Sequence, residues 1–146
     1  MSLPRVLVVE PMLRRRLELV GALSSVFEVE PLAEAESPAR ATRRGRFALA
    51  VLSTEPDPDE SLRVARALRA DFSAPPAVLL VDPVRRLSAP AALLRPEQAQ
   101  GLWRGEIDPR RLCALATACL QGRGGVEEGA APVGLVRRLL ARRWGR

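Results

Sequence analysis

Three short stretches of nearly pure aliphatic sequence constrain this chain more than anything else in it: Val6-Leu-Val-Val9, Phe47-Ala-Leu-Ala-Val-Leu52 and Ala77-Val-Leu-Leu-Val81. A strand with one wet face alternates apolar and polar residues, whereas a strand covered on both faces is apolar throughout. These stretches do not alternate, and each falls far short of the roughly 20 residues that cross a bilayer. They are expected to be central strands of a sheet with helices on both sides. Ala91-Ala-Leu-Leu94 is expected to be a further strand of this kind, and Val26-Phe-Glu-Val-Glu30 alternates in the manner of an edge strand.

The intervening segments carry helical signals. Pro11 stands where a helix can begin, and Leu13, Leu17, Val20 and Leu23 follow at helical spacing. Ser37-Pro38 pairs an N-cap with a proline at the first helical position, opening a short Arg-rich helix that stops near Gly45. Leu62, Ala65 and Leu68 mark the apolar side of a helix over 59–70. Pro109 opens a last helix whose apolar positions are Leu112, Leu115, Ala116 and Cys119. Strands alternating with helices specify a parallel sheet, because parallel neighbours need a crossover connection. The expectation is a three-layer α/β sandwich of flavodoxin-like type, with a parallel five-stranded sheet, over residues 1–121. The Gly-rich stretch 122–132 reads as a flexible linker. Residues 133–146 read as a basic amphipathic tail helix, with Leu135, Val136, Leu139, Leu140 and Trp144 on one face and Arg137, Arg138, Arg142 and Arg146 mostly on the other.

Composition narrows the chemistry. All 23 basic residues are Arg; Lys and His are absent. That excludes a histidine base, an imidazole metal ligand, a Schiff-base lysine and a P-loop lysine. Cys113 and Cys119 lie six apart on one helix, about 240° around it, so they cannot bridge and are expected to be small buried hydrophobes. Basicity is concentrated at one end: residues 1–100 hold 14 Arg against 13 acids, residues 101–146 hold 9 against 4. The start runs directly into a strand-like segment, so no signal peptide is read and the cytoplasm is the expected compartment.

The order of elements and the punctuation at the strand ends resemble the receiver domain of bacterial two-component response regulators, over residues 4–121. Glu10-Pro11, after the first run, matches the place of the acidic pair that holds magnesium. Ser53 falls on the phosphoacceptor aspartate, Val81 on the threonine or serine after strand four, and Arg95-Pro96 on the Lys-Pro that ends strand five. Ala92, three before Arg95, falls on the aromatic switch residue. The resemblance implies a phosphorylation site, and these residues imply its loss. Ser53 would have to attack without an adjacent base. Pro11 offers no ligand to a cation, Val81 has no hydroxyl, and Arg95 replaces a compact ammonium with a planar fork. A salt bridge from Glu10 to Arg95 is expected across the old pocket; a cation held by Glu10, Glu55 and Asp57 is the weaker alternative.

The function expected is a non-phosphorylatable, receiver-like signalling adaptor without catalysis or cofactor, working through protein–protein contacts. Only 13 residues separate Val81 from Arg95, Pro83 and Pro90 among them, so the fourth helix is expected to be shortened or missing. The stretch from Glu97 to Asp108 reads as an insertion. Candidate partner-binding residues are Trp103 and Arg104 in that insertion and Arg137, Arg138, Leu139, Arg142 and Trp144 in the tail. Packing of Trp103 over the sheet edge is the competing reading. The partner implied is another signalling protein, with a homodimer as a further expectation. The alternative function is binding of a nucleic acid or membrane surface through the Arg-rich C-terminal helix.

Overall fold

The aliphatic runs form the middle of a parallel sheet. The computed structural model describes residues 2–34, 40, 45–70, 74–88 and 90–130. Its strands are β1 (Arg5–Val9), β2 (Glu28–Leu32), β3 (Leu49–Ser53), β4 (Ala77–Asp82), β5 (Gly101–Arg104) and β6 (Val126–Glu128). Its helices are α1 (Leu13–Leu23), α2 (Pro58–Ala70) and α3 (Pro109–Leu120), with a 3-10 turn at Pro90–Leu93. The spatial order is β2-β1-β3-β4-β5-β6 with every pairing parallel, so the sheet has six strands and not the expected five.

Side chains leave alternate faces of each strand, and the core divides accordingly. Val6, Val8, Leu49, Val51, Leu79, Val81 and Trp103 meet Leu19, Leu23, Leu112 and Leu115 of α1 and α3 on one face. Leu7, Val9, Ala50, Leu52, Val78, Leu80 and Leu102 meet Ala65 and Leu68 of α2 on the other. This is the three-layer sandwich. Pro31 is tolerated in β2 because that strand lies at the sheet edge, where a missing N–H costs no ladder bond on the outer side. Asp108 caps α3, its side chain accepting from the Arg111 N–H at 3.2 Å, with Pro109 at the first helical position.

The structure departs from the sequence reading in four places. Ala91–Leu94 is no strand; it falls in and just after the 3-10 turn, which stands where a fourth helix would lie. The fifth strand comes instead from the supposed insertion, through Gly101-Leu-Trp-Arg104. Here Leu102 and Trp103 fill opposite faces of the sheet, burial that the alanines of 91–94 could not supply. Gly101 is required: a Cβ there would lie 2.4 Å from Cys119 Sγ and 3.2 Å from Leu79 Cδ1. Within the supposed linker, Val126–Glu128 pairs with β5 as the sixth strand. On α1, Leu13 and Leu17 are 60% and 62% exposed, and the buried face is Leu19, Ala22 and Leu23. Cys119 is buried, Cys113 only partly so, and both are free. The helix expected after Ser37-Pro38 and the tail at 133–146 lie outside the described residues.

Candidate functional site at the carboxyl edge of the sheet

Parallel strands all end on one edge, and there the chain gathers its buried polar groups: Glu10 after β1, Ser53 and Thr54 at the end of β3, and Asp82 at the end of β4. Between β1 and β3 the strand order reverses, which opens a crevice at the edge of such sheets. A cleft of about 590 Å³ occupies this position.

Asp82 organises the β4–β5 half of the edge. It is fully buried, and its Oδ1 accepts from Thr54 Oγ1 at 3.0 Å and from the Arg86 N–H at 2.9 Å. Its Oδ2 accepts from the Leu87 N–H at 2.9 Å and lies 3.6 Å from Arg104 Nε. Arg104 also donates to the Leu87 carbonyl at 3.0 Å and faces Glu128 of β6 at 3.6 Å. Arg85, in the left-handed region at φ 54°, lies 3.9 Å from the same Glu128 and donates to the Gly129 carbonyl at 2.8 Å. The turn after β4 and the sixth strand are thereby tied to one cluster of charges.

Glu10 organises the β1–β3 half. It is fully buried, and neither carboxylate oxygen completes a hydrogen bond of good geometry. Its nearest cation is Arg15, at 3.9 Å. Burial raises its pKa above the ordinary 4.5, opposed by the Ser53 hydroxyl and Arg15 and reinforced by the nearby Glu55 charge. The folded chain therefore binds this proton more tightly than the unfolded chain, and stability falls as pH rises through the window just above 4.5. Glu10→Gln is expected to flatten that slope and to raise the urea midpoint at neutral pH. Denaturation curves from mildly acidic to neutral pH check this.

The sequence-predicted positions fare unequally. Glu10, Pro11 and Ser53 do meet at the edge, and Ser53 is buried, its Oγ accepting the Glu55 N–H at 3.2 Å. The expectation that no base adjoins Ser53 is corrected, because the Glu10 carboxylate lies against it. Val81 is a core residue paired with Ser53 and Trp103, and the strand-ending position is Asp82. Arg95 and Pro96 are exposed and end no strand; the residue that ends strand five is Arg104. The Glu10–Arg95 bridge is accordingly absent, replaced by Glu10–Arg15 and Asp82–Arg104. Ala92 is exposed in the 3-10 turn, and three residues before the true strand end stands Gly101. Trp103 is no surface anchor: it is 0% exposed, its Nε1 donates to the Glu106 carbonyl at 3.1 Å, and Arg111 stacks on its ring. Arg104 is likewise committed internally. Arg137, Arg138, Leu139, Arg142 and Trp144 lie outside the described residues.

Among the described residues no three carboxylate or thiol groups gather to hold a metal ion, and no helix is long and apolar enough to cross a membrane. Glu55 is held by Arg86 at 3.4 Å, away from a shared site with Glu10. Thr54 and Asp82 were missed by sequence reasoning. The available signal was an acid ending an aliphatic run, as Glu10 ends the first.

No protein-family model matches this chain, and no curated protein matches it. Solved structures do. The signal receiver domain of a LuxO repressor protein from Vibrio parahaemolyticus superposes with a TM-score of 0.69 at 18% identity, over 82% of this chain and 91% of that one. The chemotaxis response regulator CheY4 of Vibrio cholerae gives 0.67 at 15% identity, over 81% and 99%. The signal receiver domain of the response regulator NarL from Mycobacterium tuberculosis gives 0.68 at 20% identity, over 84% and 100%. The strand order and this likeness together assign the chain the receiver fold of response regulators.

Proposed function

We propose that this chain is a receiver-like signalling module that takes no phosphoryl group and works by binding another protein. The observation that carries the reading is the Asp82–Arg104 pair. Arg104 stands at the end of strand five, where the resemblance puts a lysine. Its charge is met by Asp82 and Glu128 from within the chain, so it is not held in reserve for an incoming phosphate. Ser53 takes the place of a carboxylate nucleophile, and Pro11 and Gly101 take the places of a metal ligand and an aromatic switch. Phosphoryl transfer needs a nucleophile, a bridging cation and a free positive charge together, and each of these elements is altered here.

With the chemistry gone, what remains is surface. Signalling is the role that the solved relatives' names attach to this fold, and a module lacking the acyl-phosphate switch would report partner occupancy. The test is affinity capture from nuclease-treated native lysate, followed by binding with the purified pair. The reading expects a discrete protein partner that withstands moderate salt and binds equally with and without magnesium and acetyl phosphate. Recovery of nucleic acid or lipid alone, or binding that requires acetyl phosphate, would contradict it.

A further inference from the structure

The cleft at the β1–β3 edge has a floor of Val9, Leu52 and Val64 and walls that include Glu55, Asp57 and Glu60. No basic residue lines it. Arg86 and Arg63 offset Glu55 and Glu60 from outside the lining, while Asp57 makes no ion pair among the described residues; its Oδ1 accepts the Asp59 N–H. The occupant it suits is cationic along one side and apolar along the other.

One segment of this chain has that composition. Residues 131–146 carry five Arg and no acid, together with Leu135, Val136, Leu139, Leu140 and Trp144. The described chain ends at Ala130, immediately past β6. Parallel pairing brings that strand out on the same edge of the sheet as the cleft. The exit is fixed: the Glu106 N–H donates to the Ala130 carbonyl at 2.8 Å and the Gly129 N–H to the Arg104 carbonyl at 2.7 Å. From β6 to the gap between β3 and β1 is about three and a half strand spacings, roughly 17 Å. Sixteen residues (131–146) reach about 24 Å even when fully helical, so the span is within reach. The other exposed apolar surface, Leu13 and Leu17 of α1, is flanked by Arg14, Arg15 and Arg16 and would repel the same segment.

We propose that the β1–β3 cleft is the docking site of this chain's own C-terminal segment, residues 131–146, held by acidic walls against its arginines and an apolar floor under its leucines. Docking covers the edge that a partner or ligand would otherwise enter, so release of the tail would open it. The proposal stands independently of whether Ser53 can be phosphorylated.

The test uses the full chain. Amide spectra of the wild type are compared with those of Arg137→Glu/Arg138→Glu/Arg142→Glu, a variant that leaves every described residue unchanged. Shift changes are expected at Val9, Ser53, Ser61 and Val64, identical on dilution, and tryptic cleavage within the tail of Asp57→Arg/Glu60→Arg should run roughly fivefold faster than in wild type. Combining the tail and cleft reversals should restore protection. Unchanged cleft amides, or changes confined to another surface, would overturn the proposal. Changes that fade on dilution would overturn it too, by assigning the cleft to the tail of a second copy.

Discussion

Asp82→Ala is expected to cost the fold about 3–5 kcal/mol, a large share of the roughly 5–15 kcal/mol by which domains are stable. Deleting the carboxylate leaves Arg104 mostly buried without its principal partner, strands the Thr54 hydroxyl, and removes the acceptor for the Arg86 and Leu87 N–H groups. The loss is that of an uncompensated buried charge together with unsatisfied donors, which is why it exceeds the worth of any one bond. Asp82→Asn keeps the shape and an acceptor oxygen, so its cost should be clearly smaller. Because Arg104 also ties Glu128, the alanine variant should loosen β6 ahead of global unfolding. Urea denaturation gives the first quantity and amide hydrogen exchange at Val126–Glu128 the second.

Trp103→Ala is expected to cost a similar amount, about 3–5 kcal/mol, through a different mechanism. The indole is wholly buried in the cluster shared by α1, α3 and the sheet, and its truncation opens a cavity that neighbouring strands cannot fill. It also ends the Nε1 bond to the Glu106 carbonyl and the cation–π contact with Arg111. Arg111 in turn holds Glu127 of β6 at 2.9 Å, so part of the loss should again appear at that strand. A partner-facing tryptophan would behave differently, with binding lost and the urea midpoint hardly moved. The midpoint separates the two descriptions.

The contrast between strands three and five shows where sequence reading succeeds on this chain. Leu49–Leu52 is apolar at every position, and burial on both faces is the arrangement that accommodates that pattern. Gly101-Leu-Trp-Arg104 has a glycine, an arginine and only two large apolar residues, weaker in local signal than Ala91-Ala-Leu-Leu94. It becomes a strand because Leu80 and Val81 stand opposite Leu102 and Trp103, a tertiary fact that no window of sequence contains. The α1 error is of the same kind: the helix has two apolar stripes, Leu13/Leu17 and Leu19/Leu23, and only packing against α3 decides which is covered. Half the candidate site was therefore legible. Glu10 and Ser53 follow directly from the two clear strands, while Asp82 and Arg104 required the true ends of strands four and five.

The central claim is that this edge no longer handles a phosphoryl group. Intact-mass spectrometry after incubation with acetyl phosphate and magnesium tests it most directly. The account predicts an unchanged mass for the wild-type chain; a stable, magnesium-dependent gain of one phosphoryl group, mapped to Ser53 or to an acid of the strand ends, would contradict it.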